Sequence, residues 1–116
     1  MPPPPEAGGP MSKVLTDADH DREVELRPGE ELELRLKENP TTGYRWSLEA
    51  PDPALLQLLE DDFALDRGGA IGAGGERIFR FRAQAPGQLT LKLRHWQAWS
   101  GESSVDRHFR LHLRVA

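Results

Sequence analysis

At 116 residues the chain is long enough for one ordinary domain, and its lack of cysteine excludes a disulfide framework, a thiolate metal site and a thiol nucleophile. A net charge of −4 argues against a protein that seeks the phosphates of a nucleic acid. No apolar run approaches the ~18 residues of a spanning helix, which argues against insertion into a membrane.

Residues 1–11 are rich in Pro and Gly and are expected to form a disordered tail, leaving 12–116 as the folded domain. The tail has neither the basic nor the apolar segment of a secretory signal. The sequence leaves the compartment open: periplasmic or secreted if a signal has been removed, otherwise cytoplasmic.

From Ser12 onward the pattern is almost entirely β. Lys13 to Thr16 is a short apolar run, and Val24 and Leu26 alternate with charges. Arg27-Pro28-Gly29-Glu30 predicts a turn. Leu32, Leu34 and Leu36 then alternate with Glu31, Glu33, Arg35 and Lys37, which puts every Leu on one face. A strand from Tyr44 to Leu48 surrounds Trp46. Pro53 to Leu59 reads as a turn that leads into a strand, with Glu60, Asp61 and Asp62 exposed. Gly68 to Gly75 is a glycine-rich loop. Phe79, Phe81 and Ala83 alternate with arginines, Ala85-Pro86-Gly87-Gln88 is a turn, and two more alternating runs follow at Leu89–Leu93 and Phe109–Val115.

Seven to eight short strands, each apolar on one face and separated by Pro/Gly turns, predict an all-β, immunoglobulin-like β-sandwich without a disulfide. With the Val24 run taken as strand A, the unusual residues fall in the B–C, D–E and F–G connections. These three loops emerge at the same end of such a sandwich. They are expected to form one surface.

The B–C loop reads Asn39-Pro40-Thr41-Thr42-Gly43-Tyr44 and contains the only Asn of the chain. Pro40 presets its own φ and pushes Asn39 out of the helical region, and Gly43 can take a positive φ. By itself such a segment is compatible with a rigid turn whose side chains serve local backbone groups. The D–E loop offers bare backbone at Gly72-Ala73-Gly74-Gly75. It lacks the Gly-Lys-Ser/Thr and the following helix of a phosphate-binding loop. The F–G loop opens with Arg94-His95-Trp96 and continues to Trp99. Positions 96 and 99 differ in parity, so at least one Trp is expected on the surface, where Trp and Arg are favoured interface anchors. A sugar platform is a competing use of an exposed Trp.

Nothing points to catalysis. His20, His95, His108 and His112 are scattered without metal-ligand spacing. Ser100, Ser103 and Ser104 lack the context of a nucleophile elbow. No cofactor or metal is implied.

Together the three loops resemble those of the chagasin family of cysteine-peptidase inhibitors. That family carries an Asn-Pro-Thr-Thr-Gly-aromatic motif, a Gly-x-Gly-Gly motif and an Arg-Pro-Trp motif in this order. Here they correspond to Asn39–Tyr44, Gly72–Gly75 and Arg94–Trp96, with His95 in place of Pro. The resemblance implies a monomeric, non-enzymatic, reversible and competitive inhibitor of papain-like cysteine proteases, whether endogenous or foreign. It implies a wedge in which Thr41 and Thr42 face the catalytic Cys/His pair. Asn39 and Pro40 would hold the loop, the glycines would lie along the cleft wall, and Arg94 and Trp96 would contact the protease directly. His95 between them is counted among the contact residues and is expected to leave the third loop less rigid. The alternative is a non-inhibitory immunoglobulin-like module that binds protein or carbohydrate.

Overall fold

The computed structural model describes residues 12–65 and 74–116. The predicted tail, and the D–E loop up to Ala73, lie outside them. Among the described residues eight strands make two four-stranded sheets. The strands are β1 (Ser12–Thr16), β2 (Arg22–Leu26), β3 (Glu31–Glu38), β4 (Arg45–Glu49), β5 (Leu56–Leu65), β6 (Gly75–Ala83), β7 (Gly87–Trp96) and β8 (Arg107–Val115). One sheet has the order β1-β3-β6-β5 and the other β2-β8-β7-β4. The predicted strands A to G are β2 to β8, and the Lys13–Thr16 run becomes β1, an edge strand parallel to β3.

Alternation explains the layering. Leu32, Leu34 and Leu36 of β3 and Phe79 and Phe81 of β6 are fully buried, facing Leu91, Leu93, Phe109, Leu111 and Leu113 of the other sheet. Their polar neighbours point outward and pair across strands in register: Glu31 with Arg82 at 3.2 Å and Glu33 with Arg80 at 3.4 Å. Such exposed pairs contribute little to stability, and the apolar interlayer carries the fold.

The turns follow their sequences. Glu30 N–H donates to Arg27 O at 2.9 Å, and Gly29 takes φ +89° at the position where a Pro-Gly type II turn requires it. Pro53-Ala54-Leu55 turns into β5, where a bulge between Leu58 and Glu60 shifts the register against β6. Beyond the bulge Glu60, Asp61 and Asp62 are exposed. Two predicted boundaries move. Tyr44 precedes β4 instead of starting it, and Gly87 already belongs to β7, so the bend there is confined to Ala85 and Pro86.

Candidate functional site

The β3–β4 and β7–β8 connections and the Leu65 and Gly75 ends of β5 and β6 lie at one end of the sandwich. Between β3 and β4, Pro40–Thr42 forms a single 3-10 turn organised by Asn39. The Asn39 side-chain oxygen accepts the Thr41 N–H at 3.0 Å and the Thr41 hydroxyl at 2.7 Å. The Asn39 carbonyl accepts the Thr42 N–H at 3.2 Å and the Thr42 hydroxyl at 2.8 Å. Tyr44 N–H closes the loop onto Thr42 Oγ1 at 3.2 Å, and Gly43 takes φ +79°. Both threonines are exposed at the apex. Their hydroxyl hydrogens are committed inward, so they face a partner with oxygen lone pairs.

The foot of this loop is charged and buried. Glu38 continues the inward face of Leu32, Leu34 and Leu36, and its side chain is 1% exposed. It accepts the Trp46 N–H at 2.7 Å and the Arg77 guanidinium at 2.8 Å, tying β3 to β4 and to β6. Burial works against the Arg77 charge, but the Glu38 and Asp61 carboxylates together outweigh it and hold the guanidinium pKa above the usual arginine value. The Trp46 indole N–H donates to Lys37 O at 2.9 Å. Sequence reasoning missed Glu38 and Arg77, although a carboxylate at an inward strand position demands a partner.

The D–E side reaches the same foot. Gly74 has φ +87°, and a Cβ there would lie 3.2 Å from Glu38 O and 3.3 Å from Asn39 Cβ. Gly75 pairs with Glu38 in the β3–β6 ladder. Gly72 and Ala73 lie outside the described residues.

On the other flank Arg94, His95 and Trp96 end β7. Trp96 lies on the outer face, half-buried, with its Nε1–H donating to Ser47 Oγ at 2.8 Å. The Arg94 guanidinium sits 3.7 Å from the Trp96 ring centroid and is ion-paired with Glu102. These two residues therefore form a prebuilt cation–π stack.

His95 corrects two expectations. Its side chain faces inward, and the residue is only 9% exposed, so it is not placed to touch a partner. The ring stacks on Tyr44 (centroids 5.2 Å apart) and packs against Trp46 (5.0 Å), and its Nδ1 lies 2.6 Å from Asp106 Oδ1. Asp106 N–H returns to His95 O at 3.1 Å. The F–G loop is thus anchored where a looser loop was expected, because the imidazole adds a hydrogen bond to Asp106 that a proline ring has no polar atom to make. The loop beyond is pinned as well: Gln97 N–H donates to Ser104 Oγ at 3.0 Å, and the Gln97 side-chain amide donates to Thr42 O at 3.1 Å.

The Asn39–Gly43 turn is therefore held between Gly74 on one side and Gln97 on the other. The remaining histidines take no part. His20 Nδ1 accepts the Arg110 N–H at 3.1 Å, His112 approaches Asp21 at 3.3 Å, and His108 is exposed.

A family model described as chagasin family peptidase inhibitor I42 matches residues 25–113. The chain belongs to the chagasin family. The match spans all three loops and both sheets. Chagasin of Trypanosoma cruzi is 28% identical over 110 residues, covering 90% of this chain and 99% of that protein. The fold is similar to that of the cysteine protease inhibitor EhICP2 from Entamoeba histolytica, with a TM-score of 0.79 at 20% identity over 94% of this chain and 100% of that one. It is also similar to PbICP-C, whose structure is in complex with falcipain-2, with a TM-score of 0.65 at 14% identity over 96% of this chain and 95% of that one. The chagasin family consists of peptidase inhibitors, not enzymes.

Proposed function

We propose that this chagasin-family protein is a reversible, competitive, tight-binding inhibitor of papain-like cysteine proteases, with its loop end as the wedge that enters the cleft. The observation that carries the reading is the Asn39-centred turn, whose two exposed threonines are flanked on both sides by the other connections.

The chemistry follows from the geometry. A cysteine protease dyad presents a thiolate beside an imidazolium. Thr41 and Thr42 bring acceptor oxygens to the cationic partner and no strained peptide to the nucleophile, so binding stays noncovalent. The turn is fixed before docking, and little loop entropy is lost on association. Gly74 and Gly75 act at the foot of the D–E loop, where they pack closely on Glu38 and Asn39 and so fix the Asn39 turn from one side. The Arg94–Trp96 stack supplies a flat cationic face to a wall of the cleft. His95 and Tyr44 act from behind, holding the two loops in register. A docked surface of this kind buries about 1,600 Å² in total.

The test is a titration of papain and of a cathepsin L-type protease with the wild type and with Thr41→Ala/Trp96→Ala. The wild type is expected to compete with substrate at Ki on the order of nanomolar. The double variant is expected to be weaker by about 100-fold or more, because two contacts near the centre of the interface are lost. Equal Ki values for the two proteins would remove the loop end from the mechanism.

A further inference from the structure

Trp99 is outside all three motifs, yet it is the most exposed large apolar side chain among the described residues, at 73%. It occupies the 3-10 turn Ala98–Ser100 beyond β7, and its ring lies directly over Gly43, where the Trp99 ring edge occupies the space a Cβ would need. Glycine at 43 therefore serves two ends: it permits φ +79° and it seats the indole. Gln97, two residues earlier, bonds Thr42 O in the same loop. The turn itself is closed by Ser100 N–H to Gln97 O at 2.9 Å.

An indole that is open to solvent yet seated on a fixed floor costs apolar exposure in the free protein and little entropy on docking. Such side chains are the usual anchors of protein interfaces. Trp96 cannot fill this place, because its ring is stacked under Arg94 and its N–H is bound to Ser47.

We propose that Trp99 is a further contact and specificity-determining residue, docking on an apolar wall of the papain-like protease beside the cleft that Thr41 and Thr42 enter. The proposal rests on the inhibitory reading above and is continuous with that interface. Proteases with an apolar or aromatic surface at this wall are inhibited most strongly, and those with a charged one are discriminated against, since the indole would then desolvate an unpaired charge.

The experiment compares wild type, Trp99→Ala, Trp99→Phe and Val14→Ser, the last removing an exposed apolar side chain on β1. Ki is measured on papain and on a cathepsin L-type protease, with acrylamide quenching of tryptophan fluorescence recorded free and in complex with each protease inactivated at its thiol. Trp99→Ala is expected to raise Ki about 30-fold on at least one protease. Trp99→Phe should recover much of the loss, and Val14→Ser should leave Ki unchanged. In the complex the readily quenched indole of the free protein should become protected, and this protection should be missing from Trp99→Phe. A Ki within twofold of wild type for Trp99→Ala on both enzymes, or an indole that stays quenchable in the complex, overturns the proposal while wild-type inhibition preserves the functional reading. No inhibition by the wild type overturns both.

Discussion

Glu38→Ala is expected to lower the unfolding free energy by about 3 kcal/mol, the range found when one partner of a buried ion pair is removed. The Glu38 carboxylate is 1% exposed and serves two groups with few other partners, the Trp46 N–H at 2.7 Å and the Arg77 guanidinium at 2.8 Å. Arg77 is itself only 17% exposed and otherwise keeps an outer contact with Asp61 at 3.2 Å and a position over the Phe63 ring, 5.6 Å from its centroid. Alanine would strand a buried cation and a buried backbone donor at once. Glu38→Gln keeps an acceptor for Trp46 but loses the charge, and should fall between the two. Urea denaturation of the three proteins measures this, read as a change in midpoint at constant m. A midpoint for Glu38→Ala equal to that of the wild type would show that the pair does not hold the loop end together.

Asn39→Ala is expected to separate inhibition from stability. It deletes the oxygen that accepts both the N–H and the hydroxyl of Thr41. The loop is exposed, so water replaces the lost bonds in the free protein, and unfolding should change by less than about 1 kcal/mol. Binding, in contrast, must then order the apex, and Ki should rise about 30-fold if each lost bond is worth ~1 kcal/mol of preorganisation. Asn39→Asp keeps the acceptor oxygen and should restore most of the affinity. Steady-state Ki values beside melting curves check both halves. Parallel losses in affinity and stability would instead make Asn39 a general structural residue.

The strands were legible because period-two alternation is a direct imprint of a two-layer core. The Leu32–Leu36, Phe79–Ala83 and Phe109–Val115 runs needed no tertiary information. The shared end of the B–C and F–G loops followed from sandwich topology once the strands were counted. Alternation reports a face, however, and not a neighbour. It could not place β1 beside β3, nor anticipate the bulge at Leu58/Glu60 that shifts the register of β5 against β6. The parity of Glu38 was readable, but its partner Arg77 lies 39 residues away. The seat of Trp99 on Gly43 and the Gln97–Thr42 bond join loops that are distant in the chain, so only the fold brings them together. His95 shows the same limit: as a substitution in a motif it suggested a looser loop, whereas its surroundings of Tyr44, Trp46 and Asp106 make it an anchor.

Inhibition by this wedge requires that the loop end cover a protease's catalytic cysteine. The decisive measurement is the rate at which iodoacetamide alkylates the papain active-site thiol as this protein is titrated in, followed by residual thiol content. Blockage of the cleft by the Thr41–Thr42 apex predicts a rate that falls in proportion to the bound fraction and approaches zero at saturation, with full reactivity regained on dilution. Inhibited papain whose thiol still reacts at the free-enzyme rate would contradict it.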